Sequence, residues 1–169
     1  RLGEFVERVS DVDVVTDLMI HDIDIVLSLV SANLKYISAV GTPVITDHVD
    51  IANARLEFEN GAIANVTASR VSKQTFRRIR IFGRSCYLGL NFKNQQIDLM
   101  RPGRAPTDGG FSEMVAETIE VDPRPPLDAE LEHFVQCVKK SKTPLVTGTE
   151  GIRALEVAHQ VRKRISDSL

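Results

Sequence analysis

Six short runs of strand-forming residues follow one another between positions 36 and 100, and the gaps between them decide the architecture. The runs cover 36–40, 49–58, 62–71, 77–82, 86–91 and 96–100. Turn residues part them: Gly41, Asn60-Gly61, Gly83-Arg84-Ser85 and the stretch 91–94. A parallel crossover needs a dozen or more residues, so runs this close pair as antiparallel neighbours. In one arm of the middle hairpin Ala52, Ala54, Leu56 and Phe58 alternate with Asn53, Arg55 and Glu57, and in the other Ala62, Ala64, Val66 and Ala68 alternate with Ile63, Asn65, Thr67 and Ser69. A two-residue loop at Asn60-Gly61 sets these rows on opposite faces. A three-residue loop, Glu59-Asn60-Gly61, aligns Phe58 with Ala62, Leu56 with Ala64 and Ala54 with Val66. The buried face dictates register, so the longer loop is predicted, with Gly61 in the left-handed conformation. The other face, with Ile51, Asn53, Arg55, Ile63, Asn65, Thr67, Ser69 and Val71, is branched and polar but poor in charge, and is expected to stay open.

Helical patterns flank the strands. Residues 16–30 are apolar nearly all round, and length favours a buried helix with Thr16 or Asp17 at its N-terminus. Residues 127–141 and 150–166 close the chain as two more helices, the second introduced by the capping-box sequence Thr147-Gly148-Thr149-Glu150. Residues 101–126 hold five of the seven prolines and read as a mobile loop over 101–110, a short strand near 118–121 and a Pro-rich turn. The expected fold is α+β: an open, mostly antiparallel sheet of about six strands with helices packed on one face, residues 1–169 forming one domain.

Composition removes several classes of function. A net charge of −2 with 26% charged and 43% apolar residues describes a soluble globular domain, not a nucleic-acid binder. Two cysteines, Cys86 and Cys137, far apart, exclude a disulfide framework and a zinc knuckle, and point to a reducing, cytoplasmic setting. No apolar stretch is long enough for a membrane helix, and no signal peptide opens the chain, whose first residue is Arg1 rather than Met. The chain is therefore expected to start within a longer protein or to have been processed.

The chemistry concentrates in Asp17-Leu18-Met19-Ile20-His21-Asp22-Ile23-Asp24. On a helix Asp17, His21 and Asp24 share one face. A histidine between carboxylates suits general acid–base work near neutral pH. The plainer alternative makes Asp17 a cap and His21 a satisfied core histidine. A third treats the face as a divalent-metal site, although no second His or Cys stands nearby and no metal is expected. Between positions 70 and 84 lie Arg70, Lys73, Arg77, Arg78, Arg80 and Arg84 with no acid among them. Guanidinium groups suit phosphate oxygens, but strand alternation prevents all six from converging, and a solvated strand explains them equally. His48, His133 and His159 have no partner at a telling spacing. No Gly-x-Gly-x-x-Gly or Walker A loop occurs, and Gly148-Thr149-Glu150-Gly151 is a capping turn, not a dinucleotide cradle.

The segment Thr16–Asp24 resembles the Asp-x-x-x-His-x-x-Asp helix of the glucose-fructose oxidoreductase / inositol dehydrogenase / rhizopine catabolism (Gfo/Idh/MocA) family. Ile37-Ser38-Ala39-Val40-Gly41, Leu56-Glu57-Phe58-Glu59-Asn60-Gly61-Ala62, Ala68-Ser69-Arg70, Ile79-Arg80-Ile81-Phe82-Gly83 and Thr147-Gly148-Thr149-Glu150-Gly151 agree in the same order. The wording is most similar to dehydrogenases acting on UDP-linked amino sugars. The resemblance implies the C-terminal, substrate-binding and oligomerisation domain of an NAD(P)-dependent oxidoreductase, whose Rossmann domain, with the NAD or NADP site and a catalytic Lys, is not in this chain. It implies oxidation of a secondary alcohol of a sugar or sugar nucleotide. His21 would be the general acid/base, Asp17 its orienter or a hydroxyl ligand, and Asp24 and Arg70 substrate contacts. It further implies a homodimer or homotetramer through the open sheet face, and an isolated chain without activity. The rival expectation is a stand-alone interaction or scaffolding module that uses the same sheet without catalysis.

Overall fold

The computed structural model describes residues 1–4, 11–104, 112–121 and 123–168. In chain order a π-helical turn, Val15–Met19, runs into α1 (Ile20–Leu29); then come β1 (Leu34–Thr42), β2 (Ile51–Phe58), β3 (Ile63–Ser69), β4 (Arg78–Phe82), β5 (Tyr87–Asn91), β6 (Gln96–Pro102), β7 (Met114–Glu120), α2 (Pro126–Lys139) and α3 (Gly148–Ser166). All strand pairs are antiparallel, as the short gaps require. The α+β expectation holds. The strands form two ladders, β1-β2-β3 and β4-β5-β6-β7, in place of one sheet of about six. The chain accordingly divides into two compact units, Arg1–Thr75 with Ser141–Leu169, and Phe76–Lys140. The change of ladder between β3 and β4 leaves no mark in the hydrophobic pattern, because each run keeps its own alternation.

In the first unit the β2–β3 hairpin has the predicted three-residue loop. Leu56 faces Ala64, Ala54 faces Val66 and Ala52 faces Ala68. The Phe58 N–H donates to the Ala62 carbonyl at 2.9 Å, and Gly61 closes the turn at φ +84°, where a side chain would be strained. The row Ala52, Ala54, Leu56, Phe58, Val66 and Ala68 is buried. Met19, Ile23 and Leu27, one stripe of α1 and its lead-in turn, and Ala154, Val157, Ala158, Val161 and Ile165 of α3 complete that core. Small residues on β2 and β3 let two helices lie close to the sheet. Gly41, expected as a turn, sits inside β1 opposite Ala52. A Cβ there would come within 2.7 Å of Val49 Cγ1 and 3.1 Å of Ile165 Cδ1, so close approach, not turn geometry, calls for glycine.

On the opposite face Asn53, Arg55, Ile63, Asn65 and Thr67 are exposed, as are Tyr36, Ser38 and Val40 of β1. Ser69, assigned to that face from alternation, is buried, because the N-terminal residues run along the free edge of β3: Ser69 N–H donates to the Arg1 carbonyl and Gly3 N–H to the Ser69 carbonyl. The second unit is a meander of β4 to β7 with α2, whose Leu127, Leu131, Phe134 and Val138 are exposed. β7 starts at Met114, four residues ahead of the expected strand. Most of the loop expected over 101–110 lies outside the described residues. α3 begins with the predicted capping box, Thr147 and Glu150 each satisfying the other's N–H.

Candidate active site

The α1 lead-in is capped neither by Thr16 nor by Asp17 but by Asp13. Its Oδ1 accepts the N–H groups of Val15 (3.0 Å) and Thr16 (2.9 Å), and the Asp17 N–H donates to the Asp13 carbonyl. The sequence pattern misses this because the first turn is π-helical: Ile20 N–H reaches back five residues to the Val15 carbonyl, placing the helix start earlier. Asp13 Oδ2 pairs with Arg162 Nε of α3 at 2.6 Å, which holds the cap in place.

From this anchored turn α1 projects His21, Asp24 and Ser28 away from the core stripe. His21 is exposed, Asp17 and Asp24 are half-buried, and Asp22 is buried. The helix is thus not buried all round. Its apolar residues crowd one side, and the Asp17, His21 and Asp24 positions, four and three apart, run along the other. Among the described residues no hydrogen bond or ion pair engages the side chains of His21, Asp17 or Asp24, so these groups stand free to meet a ligand. Nor does any group of three or more His, Cys, Asp and Glu among the described residues have the geometry to hold a metal ion.

Arg70 is placed differently from its sequence reading as a substrate contact. It is 3% exposed, and its Nε donates to Asp50 Oδ1 at 2.7 Å. Its Nη1 donates to the Val12 carbonyl at 2.6 Å and its Nη2 to Thr46 Oγ1 at 3.1 Å. Asp50 is fully buried, and its Oδ2 accepts the N–H groups of Val44, Ile45 and Thr46 at 2.7, 2.7 and 2.9 Å. Burial alone would push this carboxyl up. The N–H groups of Thr46, Val44 and Ile45 and the Arg70 guanidinium outweigh it and hold Asp50 well below the usual carboxylate range. Sequence reasoning singled out Arg70 for its charge and missed Asp50, twenty positions earlier. The available signal was local: Thr46 four residues before Asp50 in a strand-to-strand loop is a side-chain-capped turn pattern. Of the other basic residues, Arg78 and Arg80 lie on the exposed row of β4, and the Arg77 guanidinium stacks 4.4 Å from the Phe92 ring centre.

A groove beside the cap, lined by Asp13, His48, His159, Arg162 and Lys163 among others, brings together two histidines that had no partner in the sequence. The one capping turn rich in glycine, ahead of α3, is already filled by Glu150. The Thr147 hydroxyl and N–H hold its carboxyl below the ordinary range, so it stays ionised and repels a pyrophosphate.

An antiparallel sheet backed by two helices is an α+β arrangement, with an exposed histidine spaced between carboxylates on the first helix and its lead-in turn. The model of the GFO/IDH/MocA C-terminal domain matches residues 3–88, and the chain belongs to that family. It is 37% identical over 162 residues, 96% of its length and 51% of the relative's, to UDP-N-acetylglucosamine 3-dehydrogenase of Acidithiobacillus ferrooxidans. The solved structure of that enzyme superposes with a TM-score of 0.88 at 35% identity over 98% of this chain and 52% of the other. The scyllo-inositol 2-dehydrogenase (NAD(+)) of Bacillus subtilis is 28% identical over 92% of this chain and 45% of that relative. Levoglucosan dehydrogenase in complex with NADH and L-sorbose shares the fold, with a TM-score of 0.76 at 16% identity over 91% of this chain and 48% of that one. The chain spans about half the length of the curated relatives it matches. No described helix is long and apolar enough to cross a membrane.

Proposed function

We propose that this chain is the substrate-side domain of a cytoplasmic, nicotinamide-dependent dehydrogenase that oxidises a secondary alcohol of a UDP-linked amino sugar. The observation that carries this reading is the free, exposed His21 on a helix whose start is fixed at Asp13, spaced from Asp17 and Asp24 as the resemblance requires. In this reading His21 takes the proton of the substrate hydroxyl. Asp17 orients His21 or holds a neighbouring hydroxyl, and Asp24 contacts substrate. A nicotinamide cofactor, when bound, would supply the hydride acceptor. Arg70, committed to Asp50, serves as a structural support. The name of the 37%-identical relative supports a sugar nucleotide over a free sugar.

The test is an assay of the gene product that contains this chain, with NAD or NADP, against UDP-N-acetylglucosamine and free N-acetylglucosamine. Reduction of the cofactor by the nucleotide sugar and much less by the free sugar is expected. No turnover with either, alongside turnover of an unlinked polyol, would overturn the substrate assignment.

A further inference from the structure

We propose that Arg70 and Arg162 are positioning residues that brace, from two sides, the turn from which His21 is presented. This rests on the acid/base reading of His21, although part of its test does not. Arg70 reaches the Val12 carbonyl at 2.6 Å while its Nε pairs with Asp50 at 2.7 Å. Arg162 reaches the Asp13 carboxylate at 2.6 Å. Val12 and Asp13 are consecutive, and Asp13 caps the turn that leads to Asp17 and His21. A backbone bond from the Val14 N–H to the Val49 carbonyl at 2.8 Å ties the same segment to the chain just before β2, where the Arg70 N–H, following β3, donates to the Asp50 carbonyl at 3.1 Å.

The chemistry of the buried arm explains why an arginine stands there. A planar guanidinium donates in three directions, to Asp50, Thr46 and Val12. An ammonium in its place keeps the charge beside Asp50 but is a point donor that cannot span all three. A buried ion pair is weak evidence for stability in itself. Here its geometry couples a sheet end to the residue before a helix cap. The π-helical turn is the segment with most to gain, because its wider backbone is less regular than the helix it feeds.

Amide hydrogen exchange on this chain and turnover of the gene product containing it test the brace together. In Arg70→Lys the amides of Val15, Thr16 and Asp17 should lose protection by at least about tenfold, while those of Leu56 and Phe58 stay unchanged. kcat should fall about tenfold with KM within about twofold. Adding Arg70→Lys to His21→Ala should cost nothing further, since a positioning residue acts only through the group it positions. Arg162→Gln, at a half-exposed side chain whose loss leaves the core intact, should show the same local loss of protection even where Arg70→Lys does not fold. Unchanged protection at 15–17 in Arg162→Gln, or in a folded Arg70→Lys, overturns the brace, as do additive losses in the double variant. Full turnover in His21→Ala instead removes the acid/base reading and leaves the exchange result to judge the brace.

Discussion

At the scale of single residues, Asp50 carries the sharpest pH signature. Its carboxyl is held well below the usual range in the fold, against about 4 in an unfolded chain. The folded state therefore favours the ionised form. That stabilisation is fully present above about pH 4 and drains away as pH falls through that value towards the folded one. Removing one partner of a buried pair costs about 3–5 kcal/mol, so Asp50→Asn should lower stability by that order near neutral pH. The gap to the parent chain should narrow in urea unfolding below about pH 4. A gap that is constant with pH would show that Asp50 is not the ionised centre of this network. Of this, only the Thr46–Asp50 turn spacing stood in the sequence. Arg70 drew notice as a cation, but burial, which turns a candidate phosphate ligand into a support, is decided by which strand ends meet. The spacing of His21 and Asp17 was legible because it is local, whereas the apolar stripe beside them was not, since residues 16–30 read as apolar nearly all round. The cap was not, because a π turn breaks the 3.6-residue rhythm from which helix starts are read.

At the scale of elements, the β1–β3 sheet shows what alternation can and cannot reveal. The β2–β3 register followed from matching two apolar rows, and the buried row obeys it. Gly41 was misread because its requirement comes from Val49 and Ile165, which no local pattern contains. The open face consists of three cross-strand rows: Tyr36, Glu57 and Ile63; Ser38, Arg55 and Asn65; Val40, Asn53 and Thr67. Tyr36, Val40 and Ile63 are each more than half exposed. Arg55 is neutralised within the face by Glu57 at 2.8 Å. Branched and aromatic residues with little net charge suit a sheet-on-sheet contact, and a two-fold dimer is the commonest closed arrangement. This face is proposed to join two copies. Light scattering at roughly tens of micromolar should give twice the monomer mass of 18.7 kDa. Thr67→Arg, which sets a charge at the face, should shift the mass towards monomer with the thermal transition nearly unchanged. A monomer mass in the parent chain would refute the contact.

At the scale of the whole molecule, the family is readable from a handful of segments in order, and the fold at a TM-score of 0.88 agrees with it. Two features escaped sequence reading for the same reason. The division into two ladders and the meeting of His48 with His159 in one groove depend on contacts distant in the chain. The rival reading, a scaffold that uses the sheet without chemistry, explains the open face but gives no reason for a free histidine held on a twice-anchored turn. The measurement that separates the two is the turnover of His21→Ala in the gene product containing this chain, assayed with the proposed nucleotide-sugar substrate and NAD or NADP. Loss of a general acid/base should lower kcat by on the order of 100-fold or more while the thermal transition stays that of the parent. Turnover near that of the parent would contradict the role of His21 and with it the site described above.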